Sequence, residues 1–562
     1  MAKLSSFCWV IWLALSLMLL LLVVHLGPES STVVTHPWMG GPSEPYLGLM
    51  LDWISFLFLL MVLGVSSSVF LYSKGYFKKD EHNKFFPILS SFVVSMLVLV
   101  SSKGFFMALV GWDLLGISSL CLIFYFKSWS SYNGGLVTFL SNRFGDLLLF
   151  SSLGLLLVGG SEWSFPLSSP GPWGSGLMLL GAMTKSAQYP FSAWLPLAMA
   201  APTPVSSLVH SSTLVTAGLF IVVRHSPSTF PSVSWLGVLV SFASVIYACS
   251  SALIEVDLKK IIAFSTLSHL GLMVLFVSMG SIEAALVHML SHASFKSMTF
   301  MAAGASIHLK EETQDSRHFS LRVTSSPLVW SVWVFSLTSM AGLPFLSGFI
   351  SKENLFCNLN SQWEGLLPAL TLSLGTVGTA AYSLRILLFL RNSQAFSPFS
   401  SNSFGESEKW MSRGMILGLI ISLSLCIFLP WGISEEKSSP LLMESSTKSS
   451  VFIFMLIGGV SGLTLMKAPH ILWWKGKLIP EAPWGLLKLT KSPLSPAVSG
   501  PFSQMGEMLD HKGLTDWIPL QFIFYMKSTF YFKMKILESS TLKVLPWVVG
   551  QIVIIYHFKV LW

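Results

Sequence analysis

Apolar runs of about twenty residues, the length that crosses a bilayer as a helix, recur along most of this chain with short polar gaps between them. They fall near Phe7–Leu26, Leu47–Tyr72, Phe85–Val100, Phe105–Phe126, Leu136–Val158, Trp235–Ile254, Ile261–Met279, Ala284–His308, Leu328–Ile350, Leu366–Leu390, Met415–Leu429 and Val451–Met466, with a last run from Leu542 to the end. Backbone in hydrocarbon must satisfy its own hydrogen bonds, and runs this long and unbroken select helices over barrel strands. Only 11% of the residues are charged, against roughly 25% in soluble domains. With the interrupted runs included, the chain reads as an all-α polytopic membrane protein of about 15–16 transmembrane helices.

The net charge of +8 would point to nucleic acid in a soluble protein. Here Lys and Arg gather at span ends, where they set orientation and meet anionic lipid, so no nucleic-acid partner is expected. The five cysteines are dispersed, with no spacing of a metal site and no disulfide framework. The first run has only Lys3 before it and no clear small-residue cleavage site; it is read as a retained helix.

Two segments break the pattern. Pro190, Pro196, Pro202 and Pro204 follow Lys185, too many prolines for one continuous helix. Gly342-Leu343-Pro344-Phe345-Leu346-Ser347-Gly348 precedes Lys352. Matched Gly/Pro-interrupted spans in two halves point to the ion site of a repeat-built transporter. Beyond Lys467 comes a more polar stretch, in which Pro519 to Ser540 suits a helix lying along the membrane or against neighbouring subunits.

Charged residues inside apolar runs are rarely retained without a task. Lys185, Lys296 and Lys352 are the first candidates, because a buried lysine can give up its proton where arginine resists. Asp113 lies between apolar runs and calls for a cationic partner; Asp146, three residues after Arg143, either joins that network or forms a local ion pair. His210 stands after the proline break, as a relay or a structural histidine. His288, His292 and Lys296 are spaced by four and so stack along one helix face over about 12 Å. Lys352 and Glu353 adjoin the second break; as adjacent residues they point different ways. Lys259 and Lys260 read first as a charged loop end and second as a bridge between halves. His269 and Arg385 lack an evident partner and stay outside the core set. The candidate proton pathway is therefore Asp113, Asp146, Lys185, His210, His288, His292, Lys296, Lys352 and Glu353, with no nucleophile–base pair, phosphate loop or haem ligand pair beside it.

The stretches Gly111-Trp112-Asp113, Ser141-Asn142-Arg143-Phe144-Gly145-Asp146, Thr184-Lys185-Ser186-Ala187-Gln188, Ala201-Pro202-Thr203-Pro204-Val205-Ser206, Asp257-Leu258-Lys259-Lys260, His292-Ala293-Ser294-Phe295-Lys296 and Ser351-Lys352-Glu353 carry a resemblance. In order and spacing the chain resembles the subunit 5 family of NADH:ubiquinone oxidoreductase (respiratory complex I), densely from about residue 100 to 355. The resemblance implies an antiporter-like proton-pumping subunit of the mitochondrial inner membrane. Its fold would be two inverted five-helix repeats with broken helices, a C-terminal lateral helix and a terminal anchor. The implied divisions are 1–100 for N-terminal helices, 101–255 and 256–395 for the two antiporter-like halves, 396–466 for further helices, 467–540 for the polar connection with the lateral helix and 541–562 for the anchor. Asp113 would partner Lys185, His210 would bridge, Lys296 would be the central lysine and Lys352 the exit residue. The family often has Glu at the position of Asp113 and Asp at that of Glu353, a methylene's change in reach at each. No cofactor is expected on this chain; NADH, FMN, iron–sulfur clusters and ubiquinone would sit on other subunits. Its implied partners are the neighbouring antiporter-like subunits of the membrane arm, and lipids. An Mrp-type cation/proton antiporter subunit is the alternative, followed by a structural scaffold whose charges only glue helices together.

Overall fold

The computed structural model describes residues 32–34, 49–158, 171–309, 314–316, 326–362, 365–392, 406–432 and 445–467. The expected first span Phe7–Leu26, the lateral helix of 467–540 and the anchor of 541–562 lie outside these residues. A short antiparallel pair, β1 (Thr32–Val34) and β2 (Leu49–Leu51), leads into the first described helix, α1 (Trp53–Tyr76). Within the apolar run read from Leu47, Leu49–Leu51 is thus strand. Asp52 is the reason: it sits at the N-cap in an extended conformation, with φ −94° and ψ 169°, so helical backbone begins only after it.

Helices α2 (Lys79–Val100), α3 (Phe105–Ile123), α4 (Trp129–Val158) and α5 (Gly171–Lys185) follow. After a broken stretch come the short α6 (Trp194–Ala198) and α7 (Thr203–Leu208), a π turn over Val209–Thr213, and α8 (Leu214–Ile254). Then come α9 (Leu258–Ser278), α10 (Ile282–Leu309), α11 (Pro327–Ala341), α12 (Ser347–Gln362), α13 (Leu366–Asn392), α14 (Glu406–Gly432) and α15 (Ser445–Lys467). Among the described residues, eight helices are long and apolar enough to cross a membrane.

The polarity runs outside-in. Leu136, Leu140, Phe144 and Leu147 line an exposed face of α4, and Ile453, Leu456, Ile457 and Val460 one of α15. In a bundle surrounded by hydrocarbon such faces are where lipid belongs. The buried helices α9 and α10 instead carry Ser265, Ser268, His269, His288, His292 and Lys296 inward. Most of the serines satisfy themselves: Ser268 Oγ, for example, donates to the Ser265 carbonyl at 2.9 Å, the local bond that lets a hydroxyl sit in an apolar helix at small cost. The lysines and histidines have no such local acceptor, so they decide how the helices must pack.

Candidate functional site

Lys185 is the last residue of α5 and is fully buried. The carbonyls that this helix end leaves unpaired are taken up by the chain itself. Ser186 N–H donates to Ala182 at 3.1 Å, Gln188 N–H to Met183 at 3.1 Å, and Trp194 Nε1 to Thr184 at 2.8 Å. Lys185 therefore reaches away from its own helix. Its Nζ donates to the Trp112 carbonyl on α3 at 2.6 Å and lies 3.7 Å from the Trp112 ring centroid. Two glycines let α5 pack closely on α4: a Cβ on Gly145 of α4 would collide with the Thr184 hydroxyl, and one on Gly181 of α5 would come within 2.8 Å of Leu149 Cγ.

Asp146, on α4, is the buried carboxylate of this cluster. It accepts from Trp112 Nε1 at 2.7 Å and from Arg143 at 3.0 Å. Both readings of Asp146 hold at once: it is the i,i+3 partner of Arg143 and a member of the Lys185 network. Asp113 joins the same cluster through Arg143. Its side chain is 35% exposed and its ion-pair partner is Arg143, at 3.5 Å. Among the described residues no carboxylate lies within 4.0 Å of the Lys185 ammonium. Consecutive helical residues point about 100° apart, so with Trp112 against Lys185 and Asp146, Asp113 meets Arg143 instead.

His210 stands in the π turn, a backbone irregularity frequent at functional sites. It is buried, its ring centroid is 6.2 Å from that of Trp194, and neither ring nitrogen has a hydrogen-bond partner. Helix α10 packs on this turn. His292 of α10 is buried there, against the Ser211 backbone of the turn. A buried imidazole nitrogen is satisfied when water or a proton carrier reaches it.

The remaining residues of the α10 face gather a second cluster. His288 shares hydrogen bonds with Ser351 Oγ at 2.9 Å and with His269 Nδ1 at 3.2 Å. His269, from α9, also lies 5.5 Å from His292, ring centroid to centroid. It was set aside in the sequence for want of a partner; the signal was there in Ser265, Ser268 and His269, polar positions at helical spacing in an apolar run. Lys296 Nζ donates to Ser265 Oγ at 2.6 Å and to Met340 Sδ at 2.8 Å.

Lys352 comes just after the second break. Gly342 ends α11 in the left-handed region, at φ +89°, a conformation glycine adopts without penalty. Gly342 and Leu343 N–H both donate to the Thr338 carbonyl, and a Cβ on Gly348 would strike the Ser339 carbonyl. Two of the carbonyls left over at this end are those Lys352 uses. Its Nζ donates to Met340 at 3.0 Å, to Ala341 at 2.9 Å and to the Thr379 hydroxyl at 2.8 Å. A helix C-terminus carries partial negative charge, so the break itself solvates the ammonium. Glu353, the next residue on α12, is buried beside it without sharing these contacts.

Lys259 and Lys260 separate. Lys260 pairs with Asp257 at 2.6 Å near the surface, as a loop-end lysine would, while buried Lys259 donates to the Ala201 carbonyl at 3.2 Å. Arg385 donates to Ala252 O at 2.9 Å. One half-buried ion pair escaped the sequence reading: Arg224 of α8 binds Asp52 at the start of α1. Among the described residues, no group of three or more His, Cys, Asp or Glu is arranged to hold a metal ion.

The family described as "NADH:quinone oxidoreductase/Mrp antiporter, TM" matches residues 102–377. "NADH-Ubiquinone oxidoreductase (complex I), chain 5 N-terminus" matches residues 38–86. The chain is 38% identical over 471 residues to the NADH-ubiquinone oxidoreductase chain 5 of Anopheles quadrimaculatus, covering 82% of this chain and 81% of that protein. Its fold is similar to a chain of the Mrp complex from Dietzia sp., with a TM-score of 0.73 and 25% identity over 89% of this chain and 57% of that one. It also matches a chain of respiratory complex I from Thermus thermophilus, with a TM-score of 0.66 and 19% identity over 82% of this chain and 100% of that one.

Proposed function

Because this chain belongs to the NADH-ubiquinone oxidoreductase chain 5 family, we propose that it is a proton-translocating membrane-arm subunit of respiratory complex I. It works in the mitochondrial inner membrane, beside neighbouring antiporter-like subunits. NADH oxidation by ubiquinone takes place on other subunits, which carry the FMN, the iron–sulfur clusters and the quinone site; the charges of this chain respond to it. The observation that carries this reading is the succession of buried ionisable groups through helices that are otherwise apolar. Asp146 and Lys185 on one side lead past His210 and His292 to His269, His288, Lys296 and Lys352 on the other.

Each member of this path has a task its geometry supports. Asp146 and Lys185 are a base and an acid held apart by one residue, so a proton or a change in field at one is felt at the other. His210, with open ring nitrogens, and His292 take a proton from water entering between the halves and pass it on. Ser351 sets a hydroxyl on His288, Ser265 one on Lys296 and Thr379 one on Lys352. Moving one charge against 100 mV costs about 2.3 kcal/mol, a scale within reach of rearranging buried charges at low dielectric.

Lys185→Ala or Lys296→Ala in the assembled complex is expected to depress proton uptake into proteoliposomes while flavin and iron–sulfur content stay unchanged. Unchanged pumping in either variant would refute the assignment. The Mrp-type reading has one observation of its own, the higher TM-score of the Mrp chain. Native purification separates the two: co-migration with flavin and iron–sulfur proteins supports the respiratory complex, and migration with a few small membrane proteins supports the antiporter.

A further inference from the structure

We propose that Trp112 is the positioning residue that couples Asp146 to Lys185, so that a change of charge at one is transmitted to the other through the indole. This deepens the proton-translocation reading and rests on it. The two ionisable groups do not meet within ion-pair distance; Trp112 touches both. Its Nε1–H donates to Asp146 Oδ1 at 2.7 Å, its carbonyl accepts from Lys185 Nζ at 2.6 Å, and its ring lies 3.7 Å from the same ammonium.

The three contacts respond to charge in different ways. An indole nitrogen only donates, so it marks Asp146 Oδ1 as an acceptor, and that bond is strongest when the carboxyl is ionised. A ring face attracts a cation and is indifferent to a neutral amine, so the second contact is strongest when Lys185 is protonated. The carbonyl contact holds in both states. Protonating Asp146 therefore loosens the indole at one end, and deprotonating Lys185 loosens it at the other. Trp112 carries no proton itself; its orientation is set by both charges.

The surroundings hold the helix and leave open space one turn from the ring. A Cβ on Gly111 would come within 2.7 Å of the Leu99 backbone nitrogen, so α3 lies hard against α2 and cannot shift to follow the indole. Gly116 is the reverse: it is buried, yet a Cβ there would meet nothing within 4 Å. It lies one turn after Trp112 on the same face of α3, and side chains on a helix lean back over the preceding turn. The open space at Gly116 thus lies one turn from Trp112 on its face of the helix, where a larger side chain would lean back toward the indole.

The test uses the assembled complex in proteoliposomes, with protons moved per electron read alongside electron transfer in the presence of an uncoupler. Trp112→Phe keeps the carbonyl and an aromatic face and removes the N–H together with part of the ring. It should lower pumping about tenfold, the worth of one charge-assisted hydrogen bond, and shift the pH profile of pumping while uncoupled electron transfer persists. Gly116→Leu fills the space and leaves all three contacts in place; it should slow pumping without a change in assembly, and it serves as well if the Phe variant does not assemble. Asp146→Asn and Lys185→Ala are the controls. If both controls depress pumping and both test variants pump with the parent rate and pH profile, the role of Trp112 is refuted and the function stands. If the controls also pump normally, the function itself is refuted, and the inference with it.

Discussion

The two broken helices place their lysines on opposite sides of the break, and the environments differ accordingly. Lys185 ends α5, whose loose carbonyls are capped by Ser186, Gln188 and Trp194, so the lysine turns to α3 and a cluster containing two acids and an arginine. Lys352 follows its break and is itself the cap, bonded to two carbonyls of α11 and a threonine hydroxyl. Lys296 likewise donates, among the described residues, to a serine and a thioether. One half balances charge with charge; the other solvates charge with dipoles. In the first, changing one partner alters the field at the rest. In the second, the ammonium groups are held by carbonyl, hydroxyl and thioether dipoles, so changing one partner weakens the hold on that lysine alone.

The strongest way to break this comparison is Asp146→Asn. It keeps an oxygen for the Trp112 N–H but removes the charge that Arg143 and Lys185 are balanced against. Bonds to charged groups contribute about 1.5–3 kcal/mol, so pumping should fall by about tenfold to a hundredfold, measured as proton uptake per electron in proteoliposomes. A variant that pumps at the parent rate would show that charge balance in this half is structural only, and the contrast between halves would collapse.

Much of this architecture was legible beforehand. Helical runs, both breaks and the burial of all three lysines follow from hydropathy and from the cost of prolines and charges in hydrocarbon, which are local and large. The four-residue spacing of His288, His292 and Lys296 placed them on one buried face. What did not show was anything decided by rotation about a helix axis or by distant pairing. Asp113 and Trp112 are neighbours in sequence, and only the packing of α3 determines which of them faces Lys185. Asp52 and Arg224 lie 172 residues apart, and no local pattern announces such a pair. His269 had a readable polar face, but its partner came from another helix. The strand at Leu49–Leu51 was hidden because apolar character alone does not separate a short strand from the first turn of a helix.

A smaller effect, from the second half, sharpens the comparison. Ser265→Ala leaves Lys296 with the Met340 thioether, a weak acceptor, in an interior without a carboxylate contact. The loss of one hydrogen bond to a charged group predicts roughly tenfold slower pumping. Ser265→Thr, which restores the hydroxyl, should recover most of it. Failure of the threonine to rescue would mean that Ser265 matters for helix packing and not as the acceptor.

The smallest expected effect is the most discriminating. Thr379→Val preserves side-chain shape and removes one of the three acceptors of Lys352. Because the Met340 and Ala341 carbonyls remain, solvation of the ammonium weakens by only about 0.5–1 kcal/mol, which predicts a twofold to fivefold slowing, about as far as one redundant contact reaches. If the Thr379 hydroxyl instead passes the proton onward, no redundancy helps, since a backbone carbonyl accepts but cannot relay. Thr379→Val would then slow pumping at least as much as Ser265→Ala, with a solvent deuterium effect larger than that of the parent complex. A modest loss with an unchanged deuterium effect confines Thr379 to solvation and leaves the carbonyls at the end of α11 as what makes Lys352 tolerable where it stands.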